Sequence, residues 1–131
     1  MSHIATATAR ILLLLGLAGC STDRATAPNL YPETIGVSAG LTPRFVWGPG
    51  DAVYSITVTQ GTSGPILWSA LGQLQSNAIH SSVVYGSTPP GAIATGNPVL
   101  PLTKGRQYTV ALARIAPDGN IVVVGRAGFT P

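Results

Sequence analysis

Two segments of the sequence alternate apolar and polar side chains from one residue to the next, which is the pattern of a half-buried β-strand. In Ala52–Gln60 the alternation places Tyr54, Ile56 and Val58 on one face, and Arg106–Ile115 alternates in the same way. No segment sustains the 3.6-residue period of an amphipathic helix. The sequence therefore favours an all-β domain.

Gly and Pro divide the rest of the chain into short segments rich in Val, Ile, Thr and Tyr, as expected for further strands separated by turns. A turn at Gly61–Gly64 separates the two strands of a predicted hairpin. In the turn Ala116–Asn120, Pro presets φ and Gly accepts a positive φ. The further predicted strands are Pro43–Gly48, Pro65–Ala70, Ser81–Tyr85 and Ile121–Phe129. About seven short strands joined by such turns predict an antiparallel β-sandwich.

The composition favours a folded domain over a disordered chain. Only 8% of the residues are charged but 45% are hydrophobic, whereas disordered segments combine low hydrophobicity with high net charge. The length of 131 residues is sufficient for one domain. Six Lys and Arg residues follow Cys20, against four Asp and Glu residues. Because binding to a phosphate backbone needs clustered cations and these are scattered, we expect no nucleic-acid partner.

The first residues have the organisation of a secretory signal peptide. Met1–Arg10 carries one positive charge and no acid, and Ile11–Ala18 is an apolar run. The run is much shorter than the roughly 20 residues that a membrane-spanning helix needs. It ends in Leu17, Ala18, Gly19 and Cys20, and Cys20 is the only cysteine in the chain.

This ending resembles the lipobox of bacterial lipoproteins at all four positions. The resemblance implies that residues 1–19 are removed and that acyl chains on Cys20 tie the protein to a membrane. Under this interpretation, residues 20–32 are the lipidated cysteine and a flexible polar tether, and residues 33–131 are the domain. The alternative is that Cys20 is an ordinary buried cysteine after a hydrophobic helix.

The residue after the lipidated cysteine bears on localisation. In the enterobacterial pattern, Asp at this position retains a lipoprotein in the inner membrane. The chain has Ser21 there, which resembles the outer-membrane class. We therefore expect an exported protein of the bacterial cell envelope, anchored by lipid in the outer membrane.

A second resemblance concerns the domain. Leu102–Tyr108 is similar to the fibronectin type III motif in which Leu and Tyr stand six residues apart. Trp47 corresponds to the core Trp of the second strand of that family, Tyr54 to the aromatic residue that opens the third, and Gly119 to the glycine of the last turn. The resemblance implies a fibronectin type III-like sandwich with a tyrosine corner, in which the Tyr108 hydroxyl bonds to upstream backbone. The implied core residues are Trp47, Tyr54, Leu102 and Tyr108. The departures from the motif are Lys104, where Pro is usual, and Arg106, where Thr is usual.

Residues capable of catalysis are scarce. His80 is the only histidine after Cys20, and no G-x-S-x-G segment surrounds any serine. The carboxylates follow no acid–base or metal-ligand pattern, and no Gly-rich segment matches a phosphate-binding loop. We therefore expect no cofactor, no metal site and no enzymatic activity, with His80 as an exposed loop residue.

Trp68 is the most distinctive candidate for a binding surface. Ile66 and Trp68 would share one face of their predicted strand, so an outward Trp68 could form a platform for a sugar ring or a partner protein. The alternative, which we favour, is that Trp68 is structural, because Trp is highly buried on average. We expect the hairpin 61–70, together with the turn 116–120, to form the contact surface.

The sequence thus favours a non-catalytic binding or scaffolding module that takes an unidentified protein or carbohydrate ligand. Two alternatives are a small envelope enzyme or enzyme subunit and an accessory lipoprotein of a larger envelope complex. An accessory lipoprotein needs only an anchored β-domain and an exposed patch, whereas an enzyme needs the acids and bases that this chain lacks in number.

Overall fold

The computed structural model describes residues 32–95 and 98–131. The predicted signal peptide, Cys20 and the tether as far as Tyr31 lie outside the described residues. The strands are β1 (Thr34–Val37), β2 (Arg44–Gly48), β3 (Ser55–Gln60), β4 (Ile66–Gly72), β5 (Val83–Val84), β6 (Ala92–Ala94), β7 (Tyr108–Ile115) and β8 (Ile121–Phe129). A 3₁₀ helix, Gln73–Gln75, follows β4. No helix in the described part of the chain is long and apolar enough to cross a membrane.

The strands form two antiparallel sheets that pack as a sandwich, so the predicted fold class is confirmed. One sheet has three strands in the order β1-β2-β5, and the other has five in the order β6-β4-β3-β7-β8. Strands β1 and β6 were not predicted. Both are short, and β6 lies in a stretch dense in Gly and Pro, where alternation over a few residues cannot be recognised.

The core lies between the sheets and is built from alternate residues of their central strands. Ile56 and Val58 of β3 are fully buried and face Phe45 and Trp47 of the opposite sheet. The cross-strand neighbours are Ala70 and Leu112 for Ile56, and Trp68 and Val110 for Val58. Each fully buried aliphatic side chain of this kind contributes roughly 1.5–3 kcal/mol to the stability of the fold.

A β-bulge near the start of β4 changes the direction of its side chains. Val58 pairs with Trp68 but Thr59 pairs with Ile66, so Leu67 is an extra residue on β4. Ile66 is consequently 59% exposed, whereas Leu67 and Trp68 are both buried. The expectation that Ile66 and Trp68 share a face is therefore wrong.

Tyr54 does not occupy the core position expected of it. It lies just before β3, which begins at Ser55, and its side chain is half-buried. Its neighbour Val53 is fully buried instead, and the backbone of Val53 exchanges two hydrogen bonds with that of Ile79. This bridge turns Val53 inward and breaks the alternation one residue before the strand.

The other three residues that the fibronectin resemblance placed in the core, Trp47, Leu102 and Tyr108, are buried. The Tyr108 hydroxyl accepts a hydrogen bond of 2.7 Å from the backbone N–H of Thr103, which is the geometry of a tyrosine corner. The indole N–H of Trp47 donates to the backbone carbonyl of Asp51 over 3.0 Å. Both polar groups are thus satisfied within the sandwich.

The loops gather at two opposite ends of the sandwich. The N-terminal end comprises Glu33 and the loops 49–54, 73–80 and 116–120, which are joined by bonds such as those between the side chain of Asn77 and the backbone of Ile115. The distal end comprises the loops 38–43, 61–65 and 98–107, where for example the N–H of Gly61 donates to the carbonyl of Gln107.

Candidate functional site

Trp68 is the residue that the sequence singled out for binding, and the structure places it in the core. Its side chain is 6% exposed. The indole stacks on Phe45, with centroids 6.2 Å apart and 17° between the planes, and meets Tyr85 edge to face at 5.3 Å. Trp68 therefore packs in the core, as in the alternative favoured above, and it is also among the residues that line a pocket of about 230 Å³ with Ile66 and Thr95.

The expected contact surface also does not form as one surface. Because β3 and β7 are antiparallel, the turn after Gln60 lies beside Tyr108, at the start of β7. The turn 116–120 follows Ile115, at the other end of β7. The hairpin turn belongs to the distal end and the 116–120 turn to the N-terminal end, so a single small ligand cannot contact both.

The N-terminal end holds an ion pair with a buried carboxylate, which the sequence did not suggest. The Nη2 atom of Arg114 lies 2.9 Å from Oε1 of Glu33, whose side chain is fully buried. The other carboxylate oxygen of Glu33 accepts the N–H of Gly50 at 3.2 Å, and Nε of Arg114 donates to the carbonyl of Ala52. Both charged groups are thus committed to structure.

The remaining candidates for acid–base chemistry are separated and exposed. His80 lies exposed between the 3₁₀ helix and β5, and Asp51 is exposed in its loop. The carboxylate of Asp118 accepts both the backbone N–H and the side-chain amide of Asn120, within the 116–120 turn. Among the described residues, no three His, Cys, Asp or Glu side chains lie close enough to hold a metal ion.

The distal end carries an open cleft of about 370 Å³, called here the distal cleft. It is lined by Leu41, Thr42, Tyr85, Gly86, Val99, Leu100, Pro101 and Leu102. Leu41, Val99 and Leu100 are between 43% and 50% exposed, so three apolar side chains of the cleft face solvent. No sequence motif indicates this cleft, because its walls come from the loop before β2, from the residues just after β5 and from the irregular segment before β7.

Tyr85 fixes one wall of the distal cleft. Its hydroxyl donates to the carbonyl of Leu100 at 2.5 Å, and the N–H of Leu100 donates to the carbonyl of the bulge residue Leu67 at 3.1 Å. Leu100 is thus held from both sides by main-chain and side-chain bonds. Burial raises the pKa of the Tyr85 phenol from 10.0 to about 12, and the nearby Tyr108 phenol adds to the rise.

Charges are segregated between the two ends. Three exposed cations lie at the distal end: Arg44, Lys104 and Arg106. The Asp and Glu side chains of the described residues all lie at the N-terminal end: Glu33, Asp51 and Asp118. Of the other cations in this part of the chain, Arg114 pairs with Glu33 and Arg126 lies on β8. The distal cleft is therefore an apolar surface in a basic environment.

Comparisons of the chain with protein-family models, with curated proteins and with solved structures give no match.

Proposed function

We propose that the protein is a bacterial envelope lipoprotein whose single β-sandwich is a non-catalytic binding or scaffolding module of the fibronectin type III kind. The observation that carries the anchoring part is the sequence Leu17-Ala18-Gly19-Cys20, which places the only cysteine of the chain at the end of an apolar run. Cleavage before Cys20 would leave that cysteine as the first residue, acylated and held at the outer membrane.

The energetics of the anchor are favourable. Each buried CH₂ group contributes about 0.8 kcal/mol, and one acyl chain gives only marginal attachment, whereas two or three make it lasting. The twelve residues of Ser21–Pro32 could extend to about 40 Å between the lipid and the sandwich. The domain would hang from its N-terminal end, because the tether joins it there.

Three features support the fibronectin type III kind of sandwich. Trp47 is a buried residue of the second strand. Tyr108 is the first residue of β7, and its hydroxyl accepts a hydrogen bond from the N–H of Thr103. The turn glycine Gly119 has a positive φ of 87°, which a turn of this kind needs.

The binding role is supported by where the polar groups are used. Glu33 and Asp118 serve the fold through an ion pair and a turn, and His80 stands apart from them in another loop. A general acid or base needs a partner and a substrate within hydrogen-bonding reach, whereas a rigid sandwich with exposed loops suits recognition.

The anchoring proposal is tested on the membrane fraction of the native host. Mass spectrometry should find a chain that begins at Cys20 and carries acyl mass, and the variant Cys20→Ser should be soluble or mislocalised. The variant Ser21→Ala is the matched control, since it alters the neighbouring residue and leaves the cysteine. An unmodified soluble chain that retains residues 1–19 would disprove the anchor.

A further inference from the structure

We propose that the distal cleft binds an acidic, partly apolar segment of a protein partner. This inference rests on the proposed binding role of the sandwich and identifies the surface and the chemistry of its ligand. The surface differs from the one expected from the sequence, which centred on Trp68 and the 116–120 turn.

The apolar part of the argument comes from side chains that the fold leaves uncovered. Leu41, Val99 and Leu100 line one cleft and are each about half exposed, although the core beside them is well packed. Ile66, 59% exposed, lies next to Leu67, the residue whose carbonyl bonds to Leu100. Apolar side chains scattered singly over a surface need no explanation, but a group in one concavity marks an interaction site.

The charges around the cleft indicate the sign of the partner. Lys104 follows the cleft residue Leu102 by two positions, and Arg44 follows Thr42 by two, with its guanidinium donating to the Ser82 hydroxyl at 2.9 Å. No Asp or Glu side chain of the described residues lies at this end of the sandwich. An acidic partner would therefore be attracted to the exposed cations of this end, and a basic one repelled.

The cleft is also held rigidly, which lowers the entropy lost on binding. Two hydrogen bonds fix the loop that bears Lys104 and Arg106. The N–H of Arg106 donates to the carbonyl of Thr103, and the N–H of Gly105 donates to the carbonyl of Pro131. The opposite wall is fixed by Tyr85 through its bond to Leu100.

The shape of the cleft favours a polypeptide over a lipid surface. A concavity of about 370 Å³ can receive apolar side chains, whereas a bilayer presents a flat array of head groups. The cleft also lies at the end opposite Glu33, where the tether to the proposed anchor begins. The proposed tether and the cleft are thus at opposite ends of the sandwich.

The test uses the mature acylated protein in nanodiscs of phosphatidylcholine and a fluorescent dodecapeptide in which Glu and Leu alternate. Binding is measured by fluorescence anisotropy, with empty nanodiscs as the blank. Peptides that alternate Lys with Leu, or Glu with Ser, separate the contribution of charge from that of apolar contact. Vesicles of phosphatidylglycerol form the lipid arm, and the mass of the protein is followed with concentration to detect self-association.

We expect the Glu/Leu peptide to bind more tightly than either control peptide, and its affinity to fall with salt as exposed charges are screened. Lys104→Glu and Leu41→Ser should each weaken binding by about tenfold, because one reverses a charge and the other removes an apolar contact. The matched controls Arg126→Glu on β8 and Ile121→Ser at the N-terminal end should change the affinity by less than about twofold, since neither residue lines the cleft.

Four results would overturn the inference. They are equal binding of the Glu/Leu and Lys/Leu peptides, equal effects of the distal variants and their controls, binding to phosphatidylglycerol vesicles without peptide binding, and self-association through the two oppositely charged ends. The same titration with the Cys20→Ser protein separates this proposal from the anchor. If that unacylated protein binds the peptide, the binding role of the cleft is established independently of the lipid anchor. If the acylated protein fails to bind, the cleft proposal is disproved and the anchor proposal is unaffected.

Discussion

The substitution Trp68→Ala distinguishes a structural tryptophan from a binding platform. A Trp side chain buries about 150–250 Å², which at about 25 cal/mol/Å² corresponds to about 4–6 kcal/mol. These areas are upper limits because unfolded chains already bury some surface. With the aromatic contacts to Phe45 and Tyr85 also lost, we expect destabilisation of about 3–5 kcal/mol, the range for deleting a buried aromatic residue.

Urea unfolding, followed by fluorescence of the remaining Trp47, measures this loss. A domain of this size has an m-value of about 1–3 kcal/mol/M, so the midpoint should fall by more than about 1 M with an unchanged slope. Ile66→Ala is the matched control, because Ile66 lies two residues away and is 59% exposed; its cost should be below about 1 kcal/mol. If the two variants lose similar stability, Trp68 does not contribute to the core as described.

Two further predictions concern tyrosines. Tyr108→Phe should cost about 1 kcal/mol or more in urea unfolding, because the N–H of Thr103 loses its acceptor. Tyr54→Phe, at a half-buried tyrosine outside the core, is its control, and equal costs would contradict the tyrosine corner. The raised pKa of Tyr85 means that its phenol ionises less readily in the folded protein than in the unfolded chain. Between pH 10 and 12 the folded state then binds more protons, so stability is full below about pH 10 and falls as pH rises. Tyr85→Phe should flatten this fall, and an unchanged profile would exclude Tyr85 as its source.

The sandwich was predictable because its two central strands carry their pattern locally. β3 and β7 are adjacent, and most of their alternation arises because one face of each strand packs against the core. The alternation fails at Thr109, which is polar yet buried, because it lies in a central strand between Thr59 and Gly128. A strand covered by neighbours on both sides can bury residues that the pattern assigns to solvent.

Other features depend on contacts between distant parts of the chain. The bulge at Leu67 follows from the register between β3 and β4, and it reverses which residues of β4 face inward. Glu33 and Arg114 are 81 positions apart, and nothing in either local sequence indicates the partner. The distal cleft is likewise formed from three segments, with no motif in any of them.

Under the anchoring proposed for Cys20, the ion pair at the N-terminal end has a mechanical consequence. A pull on the tether would reach Glu33 first, ahead of the pairing between β1 and β2 that starts at Thr34 and Gly48. Glu33 is attached to the five-stranded sheet through its N–H on the carbonyl of Val124 and its carboxylate on Arg114. Both sheets would therefore share the tension, and several hydrogen bonds would carry it at the same time. Without these bonds, the pull would separate β1 from β2 one hydrogen bond after another.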